Sequence, residues 1–339
     1  MLDAMGRILG AVVLVLAAVA LLIVAWPQLF SLATAPGVAQ TVSLRGLTAA
    51  VGLIVVIALT LLALLAPVAR RFAASLAVVM LAFSAINVLV LSTRGFGQEG
   101  FESATANDIT VLTWNTLGDA PPPDVIAQLA IDTGAEVIAL PETTRPVAAQ
   151  VAQLLTEAGQ PMESFTVAYD EISPARSTSL LISTELGQYT VDETVPTTTT
   201  LRSTVATPVD GNGPVIVAVH AVAPIPGEFE NWRADLDWLA AACAGGNVIM
   251  AGDFNSTLDH YAGLGTTSGA LGDCRDAAQA TGNGAVGTWP TALPALLGSP
   301  IDRIMATPNW RVSGMRVVQS HDGYGSDHRP VLAQLTPAG

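Results

Sequence analysis

Lysine is absent from this chain of 339 residues; all 14 basic side chains are arginine. Charge of either sign is scarce, at 12% of residues against 51% apolar. Soluble domains carry roughly 25% charged residues, so the chain is not soluble throughout. Basic charge is scarcest where a nucleic-acid surface would need it. From Phe101 onward 26 acidic residues stand against 9 arginines, a formal balance of −17. Tight, sequence-blind binding of nucleic acid rests on basic contacts to phosphate, so this balance argues against it. It leaves room for a phosphate substrate bridged by a metal, because a bound cation neutralises acidic ligands locally. Cysteine is limited to Cys243 and Cys274, which allow one intrachain disulfide at most. No internal repeat organises the chain.

What is present in excess is apolar sequence at the N-terminus. Ile8 to Trp26 is a run of 19 residues, Gly46 to Pro67 holds a second, and Phe72 to Ser92 a third. Each is long enough to cross a hydrocarbon core of ~30 Å as a helix. The alternative for the first run is a cleaved signal peptide, with Arg7 before it and the small residues Ala33 and Ala35 after it. Its apolar core is longer than a signal core, which favours an anchor. The second and third runs have no polar face, so neither reads as a buried helix of a soluble domain. Asn87, polar inside the third, is expected to bond a neighbouring helix. Arg70 and Arg71 fall in the short loop between the second and third runs, which places that loop in the cytoplasm and everything after the third run outside. Arg45 and Arg94 weigh mildly against that orientation.

The expected organisation is a three-span region over 1–92, a Gly-, Ser-, Thr- and Glu-rich linker over 93–107, and an α/β domain over 108–339. In the last part short apolar strands alternate with amphipathic helices. Strands are expected at Asp108 to Trp114, Ala135 to Leu140, Phe165 to Tyr169, Ser179 to Ser183, Leu201 to Thr207, Val215 to His220, Ile301 to Ala306, Arg311 to Gln319 and Pro330 to Leu335. Helices are expected at Pro122 to Asp132, Pro146 to Ala158 and Glu230 to Ala244. Cys243 and Cys274 both fall in the part placed outside, where disulfides persist, so a Cys243–Cys274 bond is favoured over two separate buried thiols.

Val248-Ile-Met-Ala-Gly-Asp-Phe-Asn255 reads as a buried strand that stops at a tight turn. Alternate residues of an extended backbone point to one side, so Asp253 and Asn255 can aim at one spot. Alone, such a pair is an ordinary turn. Other apolar strands end the same way. Leu112 to Asn115 ends in an amide, Ile138 to Glu142 in a carboxylate, and Val217 to His220 in an imidazole. Asp302 lies in an apolar run, and Asp327 and His328 precede the last strand. Polar groups at strand ends converge on one edge of a sheet, where loops build sites on a rigid scaffold.

The series Trp114-Asn115, Pro141-Glu142, His220, Gly252-Asp253-Phe254-Asn255, Asp302 and Ser326-Asp327-His328 resembles the endonuclease/exonuclease/phosphatase superfamily. Its members include deoxyribonucleases, abasic-site endonucleases, inositol polyphosphate 5-phosphatases and neutral sphingomyelinases. The match runs in the family's order from about Asp108 to Leu335 and leaves the first ~100 residues outside. The resemblance implies a four-layer sandwich, two mainly antiparallel sheets flanked by helices, here preceded by three transmembrane helices. It implies that Glu142 ligates a divalent cation, Mg²⁺ with Mn²⁺ or Ca²⁺ as alternatives, with Asn115 and Asp327 as further ligands. Asp253 and Asn255 would orient the attacking water and the phosphate, or hold a second ion. His328 would contact the phosphate and act as base, with Asp302 orienting its ring. His220 matches a second histidine that serves acid/base work in the deoxyribonuclease and sphingomyelinase branches. Arg202 and Trp289 are weaker candidates for touching substrate, Arg329 is read as structural, and Asp170 or Glu171 as an orienter of His220. His260 and His321 are read as loop residues.

The expectation is a membrane-anchored, multi-pass protein whose catalytic domain lies outside the cytoplasm and hydrolyses a phosphate ester. Tethering at a bilayer and the acidic domain favour a lipid-derived or envelope phosphodiester. The alternatives are a Mg²⁺-dependent nuclease, a phosphomonoesterase, an inactive scaffold and, least favoured, a transporter.

Overall fold

The computed structural model describes residues 2–98, 100–168 and 173–339, with the backbone alone for 2–4. Asp170 and Glu171 lie outside the described residues. The chain forms two compact units, Met1–Thr93 and Arg94–Gly339.

The first unit holds helices α1 (Leu2–Ala25), α2 (Val38–Ser43), α3 (Arg45–Leu65) and α4 (Arg70–Arg94, whose last residue belongs to the second unit). Three helices are long and apolar enough to cross a membrane: Met5–Ala25, Arg45–Leu65 and Arg70–Arg94. They contain the three apolar runs. A helix satisfies its backbone internally, as a segment in hydrocarbon must. Arg45, 2% exposed, is the polar tie among them. Its Nη1 donates to the Ala25 carbonyl at 3.0 Å and to Asn87 Oδ1 at 2.7 Å. Asn87 therefore bonds a neighbouring helix as expected, through the arginine that begins α3.

The second unit runs β1 (Ile109–Thr113), α5 (Pro123–Thr133), β2 (Val137–Pro141), α6 (Arg145–Glu157), β3 (Met162–Ala168), β4 (Ser177–Ser183), β5 (Tyr189–Val191), β6 (Thr204–Pro208), β7 (Val215–His220), α7 (Phe229–Ala242), β8 (Val248–Asp253), β9 (Arg275–Asp276), α8 (Ala277–Ala280), β10 (Asp302–Ala306), β11 (Trp310–Val317) and β12 (Val331–Pro337). The strands form two six-stranded sheets, in the orders β11-β12-β1-β2-β4-β3 and β5-β6-β7-β8-β10-β9. Each is antiparallel but for one parallel pair, β1 with β2 and β7 with β8. Those pairs need crossovers, which α5 and α7 supply. Strand alternation sets the layers. Val111, Val137, Ala139 and Leu180 pack against Ile216, Ala218, Ile249 and Ile304 between the sheets. Their neighbours Leu112, Ile138, Leu140 and Leu181 pack outward on Ile126 and Ala130 of α5 and Val151 and Leu155 of α6. The fold is the sandwich of two sheets flanked by helices that the resemblance implied.

The segment expected as a linker is built into this unit. Arg94 makes a bidentate pair with Asp259, at 2.9 and 2.8 Å. Gly97 donates to the Gly282 carbonyl, Gly284 to that of Arg94, and Glu102 to that of Ser313. Gly95 has φ +83°, and a Cβ there would collide with the Gly282 backbone. The small residues that read as flexibility are there to let two backbones meet. Strands β5 and β9 were not expected; three and two residues are too short for a periodic signal.

Cys243 and Cys274 are bonded, with Cα atoms 5.6 Å apart. The bond ties the end of α7 to the residue before β9. A separation of 31 residues corresponds to about 3–4 kcal/mol of loop entropy. The double substitution Cys243→Ser, Cys274→Ser is expected to lower the free energy of urea unfolding by that amount. Two titratable thiols in the denatured, unreduced wild-type protein would contradict the bond.

Candidate active site

The parallel pairs deliver their C-terminal ends to one edge of the sandwich. Across one sheet His220 closes β7, Asp253 closes β8 in register with it, and Asp302 opens β10 opposite Asp253. From the other sheet come Asn115 just past β1, Glu142 just past β2, and Asp327 and His328 just ahead of β12. The backbone is forced where the side chains turn in. Gly252 has φ +151°, and a Cβ there would collide with the Val219 backbone, so only glycine lets β8 pass this close to β7. Glu142 at φ 60° and Asn255 at φ 44° are left-handed without being glycine, a strained state that clusters at functional sites.

Asn115 is fully buried and joins the two sheet edges. Its Nδ2 donates to Glu142 Oε1 at 3.1 Å and to Asp253 Oδ2 at 3.0 Å, while its Oδ1 accepts from the Leu117 amide at 3.0 Å. The side chain proposed as a metal ligand thus turns its amino group, not its oxygen, toward the carboxylates. Asp253 also accepts from the Asn255 backbone at 2.9 Å and side chain at 3.2 Å. Asn255 in turn donates to the Ala221 carbonyl at 2.9 Å and accepts Trp232 Nε1 at 3.0 Å. His328 Nδ1 lies 2.8 Å from Asp302 Oδ2, and its Nε2 is 4.0 Å from Asp253 and 3.8 Å from Asp327. Ser326 Oγ donates to the Asn115 carbonyl at 2.6 Å and accepts the His328 amide at 3.0 Å, which ties the two motifs together. Trp289 Nε1 donates to Asp327 Oδ2 at 2.8 Å, leaving Asp327 Oδ1, the oxygen nearest His328, buried without a hydrogen-bond partner among the described residues.

These groups perturb one another. Burial pushes His328 down, but Asp302, Asp253 and Asp327 overcome it and raise the imidazole to about 10. Burial and the Asp302 charge push Asp253 well above the carboxylate range, against the pull of His328. Burial also raises Glu142, with Asp327 and Asp302 adding to it and Asn115 and His328 opposing. His220, 1% exposed, is driven down to about 3 by burial and then by His328. Its Nδ1 meets Thr178 Oγ1 at 3.0 Å.

Two donor sets could hold a cation. Asp253, Asp302 and His328 each offer an atom within 4.8 Å of the others. His328 and Asp302 already bond each other through Nδ1 and Oδ2, while Asp302 Oδ1 is buried with no hydrogen-bond partner among the described residues. Glu142 and Asp327 form the other set: one carboxylate is raised by burial, and the other has an orphaned, buried oxygen. Hard oxygen donors of this kind suit a divalent cation.

The structure brings together Asn115, Glu142, His220, Asp253, Asn255, Asp302, Asp327 and His328. It does not bring Arg202 here. That guanidinium donates to the carbonyls of Glu193 at 2.9 Å and Val195 at 3.0 Å and lines a separate cavity of about 320 Å³. Trp289 reaches the site through Asp327. Arg329 is structural, as read, bound to Asp322 and the carbonyls of Gly287, Thr291 and Leu293. His260, expected in a loop, lies in the 3-10 turn Leu258–Tyr261 and is buried against Trp232, with ring centroids 5.0 Å apart. Thr178 beside the His220 ring, Ser203, which accepts the His220 amide, and Thr288, which accepts the Asp302 amide, have no sequence signal, because a hydroxyl inside or beside an apolar strand carries no pattern of its own.

The profile of the endonuclease/exonuclease/phosphatase family matches residues 112–328. Among solved structures, an endonuclease/exonuclease/phosphatase from Beutenbergia cavernae DSM 12333 is 21% identical, with 69% of this chain and 72% of that one covered and a TM-score of 0.51. One from Bacteroides vulgatus is 18% identical over 68% and 99% of the two chains, with a TM-score of 0.50. Humanized D. rerio TDP2, carrying 14 mutations, is 18% identical over 68% and 100%, also at 0.50. Identities this low establish the fold alone. None of the curated proteins matches the chain.

Because the folded-state pKa of His328 lies above its unfolded value, this group stabilises the fold below about pH 6.5, and the contribution is lost as pH rises through about 10. Asp302→Asn removes the largest raising charge. It is expected to lower the His328 pKa in an imidazole NMR titration and to weaken the fold most below about pH 6.5. An unchanged titration would contradict the dyad.

Proposed function

The chain belongs to the endonuclease/exonuclease/phosphatase family, whose members hydrolyse phosphoester bonds, and from that premise we propose that it cleaves a lipid-derived or envelope phosphodiester at the outer face of a membrane. The observation that carries the proposal is the convergence of Asn115, Glu142, Asp253, Asp302 and His328 on one edge of the sandwich, in a chain with three apolar helices. The Arg placement around the second and third helices supports an outer location. The acid excess of the domain weighs against a polyanionic substrate such as DNA.

Glu142 and Asp327 are the residues we assign to Mg²⁺, with Mn²⁺ or Ca²⁺ as alternatives. When bound, the cation neutralises charge on the phosphate oxygens and the leaving group. Asp253, raised by burial toward neutrality, is placed to take a proton from the attacking water, and Asn255 steadies it through two hydrogen bonds. His328 holds its own proton against Asp302, so it serves as a cationic donor to a phosphate oxygen and not as the base. Asn115 keeps Asp253 and Glu142 apart by donating to both.

Full-length protein in detergent is to be assayed on bis-p-nitrophenyl phosphate, phospholipid and sphingomyelin vesicles, inositol phosphates and plasmid DNA, with Mg²⁺ and with EDTA. The expected result is EDTA-sensitive hydrolysis that favours a lipid diester. His328→Ala and Asp253→Ala should each lower kcat by about 10²–10⁴-fold. Activity that survives EDTA or both substitutions contradicts the mechanism, and faster cleavage of plasmid than of any lipid contradicts the substrate class.

A further inference from the structure

The two histidines of the site stand on different partners. His328 has a carboxylate at Nδ1, whereas His220 has the Thr178 hydroxyl there at 3.0 Å. Thr178 is fully buried, and among the described residues its hydroxyl meets no other acceptor. Its own carbonyl is taken by Thr204 Oγ1 at 2.7 Å. A buried hydroxyl that fails to donate forfeits about 1–3 kcal/mol, so the Thr178 proton goes to the one acceptor in reach. Nδ1 of His220 is then an acceptor, and the ring proton must sit on Nε2.

The imidazolium form would need Nδ1 to donate instead. That would leave the Thr178 proton without an acceptor and place a second charge near the cationic His328. Burial acts in the same direction, holding His220 down at about 3. The backbone of His220 is also held. The His220 amide donates to Ser203 Oγ at 3.0 Å, and that oxygen is paired with Thr198 Oγ1 at 2.9 Å. Register sets His220 beside Asp253, and its Nε2 has no hydrogen-bond partner among the described residues.

We propose that Thr178 is a positioning residue that locks His220 in the Nε2–H form, so that a neutral imidazole donates a hydrogen bond to an oxygen of the phosphate ester. The donor role rests on the phosphoester reading of the site; the tautomer rests on the hydrogen bonds alone. No proton leaves His220 in this role. It differs from an acid that protonates the leaving group, because the bond to Nε2–H strengthens in the transition state without transfer.

Two measurements on the full-length protein in detergent test this. In ¹⁵N NMR of the imidazoles, His220 is expected to show protonated Nε2 and bare Nδ1, unchanged from about pH 5 to about pH 8. An Nδ1–H or imidazolium signal in that range overturns the proposal, and this readout needs no catalysis, so it stands even if the phosphoester reading fails. Kinetics with bis-p-nitrophenyl phosphate and Mg²⁺ then test the role. Thr178→Val should lower kcat about tenfold with KM unchanged, the kinetic equivalent of one hydrogen bond, and Thr178→Ser should recover most of the loss. His220→Gln, which keeps a neutral donor, should exceed His220→Ala by about tenfold. Gln as inactive as Ala, while Thr178→Ser remains active, overturns the donor role in favour of proton transfer.

Discussion

The amide of Asn115 is the contact on which the rest of the site depends. Of the carboxylates on the shared edge, Glu142 from one sheet and Asp253 from the other both reach this amide. Two buried carboxylates facing each other would repel and push both toward protonation. An amino group with two hydrogens donates to both, at 3.1 and 3.0 Å, and adds no charge. Aspartate in its place would add a further negative group, and an apolar residue would leave Glu142 Oε1 without this donor and Asp253 Oδ2 with Asn255 alone. The amide is itself held at both ends. Its oxygen accepts the Leu117 amide, and the Asn115 carbonyl accepts Ser326 Oγ, which also receives the His328 amide. Strand ends that are remote in sequence are thereby fixed to one another.

Much of this was legible because the sheets are buried on both faces. Such strands read as unbroken apolar runs. Where Val217 to His220 or Val248 to Asp253 suddenly ends in a polar residue, the polar residue marks the strand's mouth. The residues at those ends, Asn115, Glu142, His220 and Asp253, are the ones the fold gathers. What a single sequence does not carry is pairing across it. Thr178 is the second residue of Ser177–Ser183, a strand with hydroxyls and aliphatics on both faces, and only the fold shows that it meets His220. Arg202 failed for a related reason. A lone arginine after a run of threonines gives no sign that two carbonyls of the preceding loop already occupy its guanidinium.

The linker misled for a physical reason of a different kind. Glycine in a short polar stretch signals freedom of φ, and freedom has two uses. Gly95 uses it to bring backbone onto backbone at Gly282, and Arg94 beside it is held by both oxygens of Asp259. Composition registers the permissiveness of such a stretch and not the contact it permits. The same ambiguity surrounds Gly252, which in isolation is a turn residue and in the sheet is what allows β8 to approach β7 one residue before Asp253.

The electrostatic balance of the site follows from its partners and explains how an acidic domain can receive a phosphate. Asp253, Asp302, Asp327 and Glu142 surround a single imidazole, His328, which they hold protonated. The second imidazole cannot help neutralise them, since burial and a hydroxyl partner keep His220 uncharged. Carboxyl groups outnumber the one charged imidazole here, so a phosphate ester, itself an anion, would gain from a cation at this edge. Two carboxylate oxygens of the site have no hydrogen-bond donor among the described residues, Asp302 Oδ1 and Asp327 Oδ1, and the second oxygen of Asp327 is committed to Trp289. A divalent cation on that side would reverse the sign of the local field without a single basic side chain. A chain with no lysine, and with most of its arginines bound to carboxylates and carbonyls elsewhere, has a use for a positive charge supplied from outside.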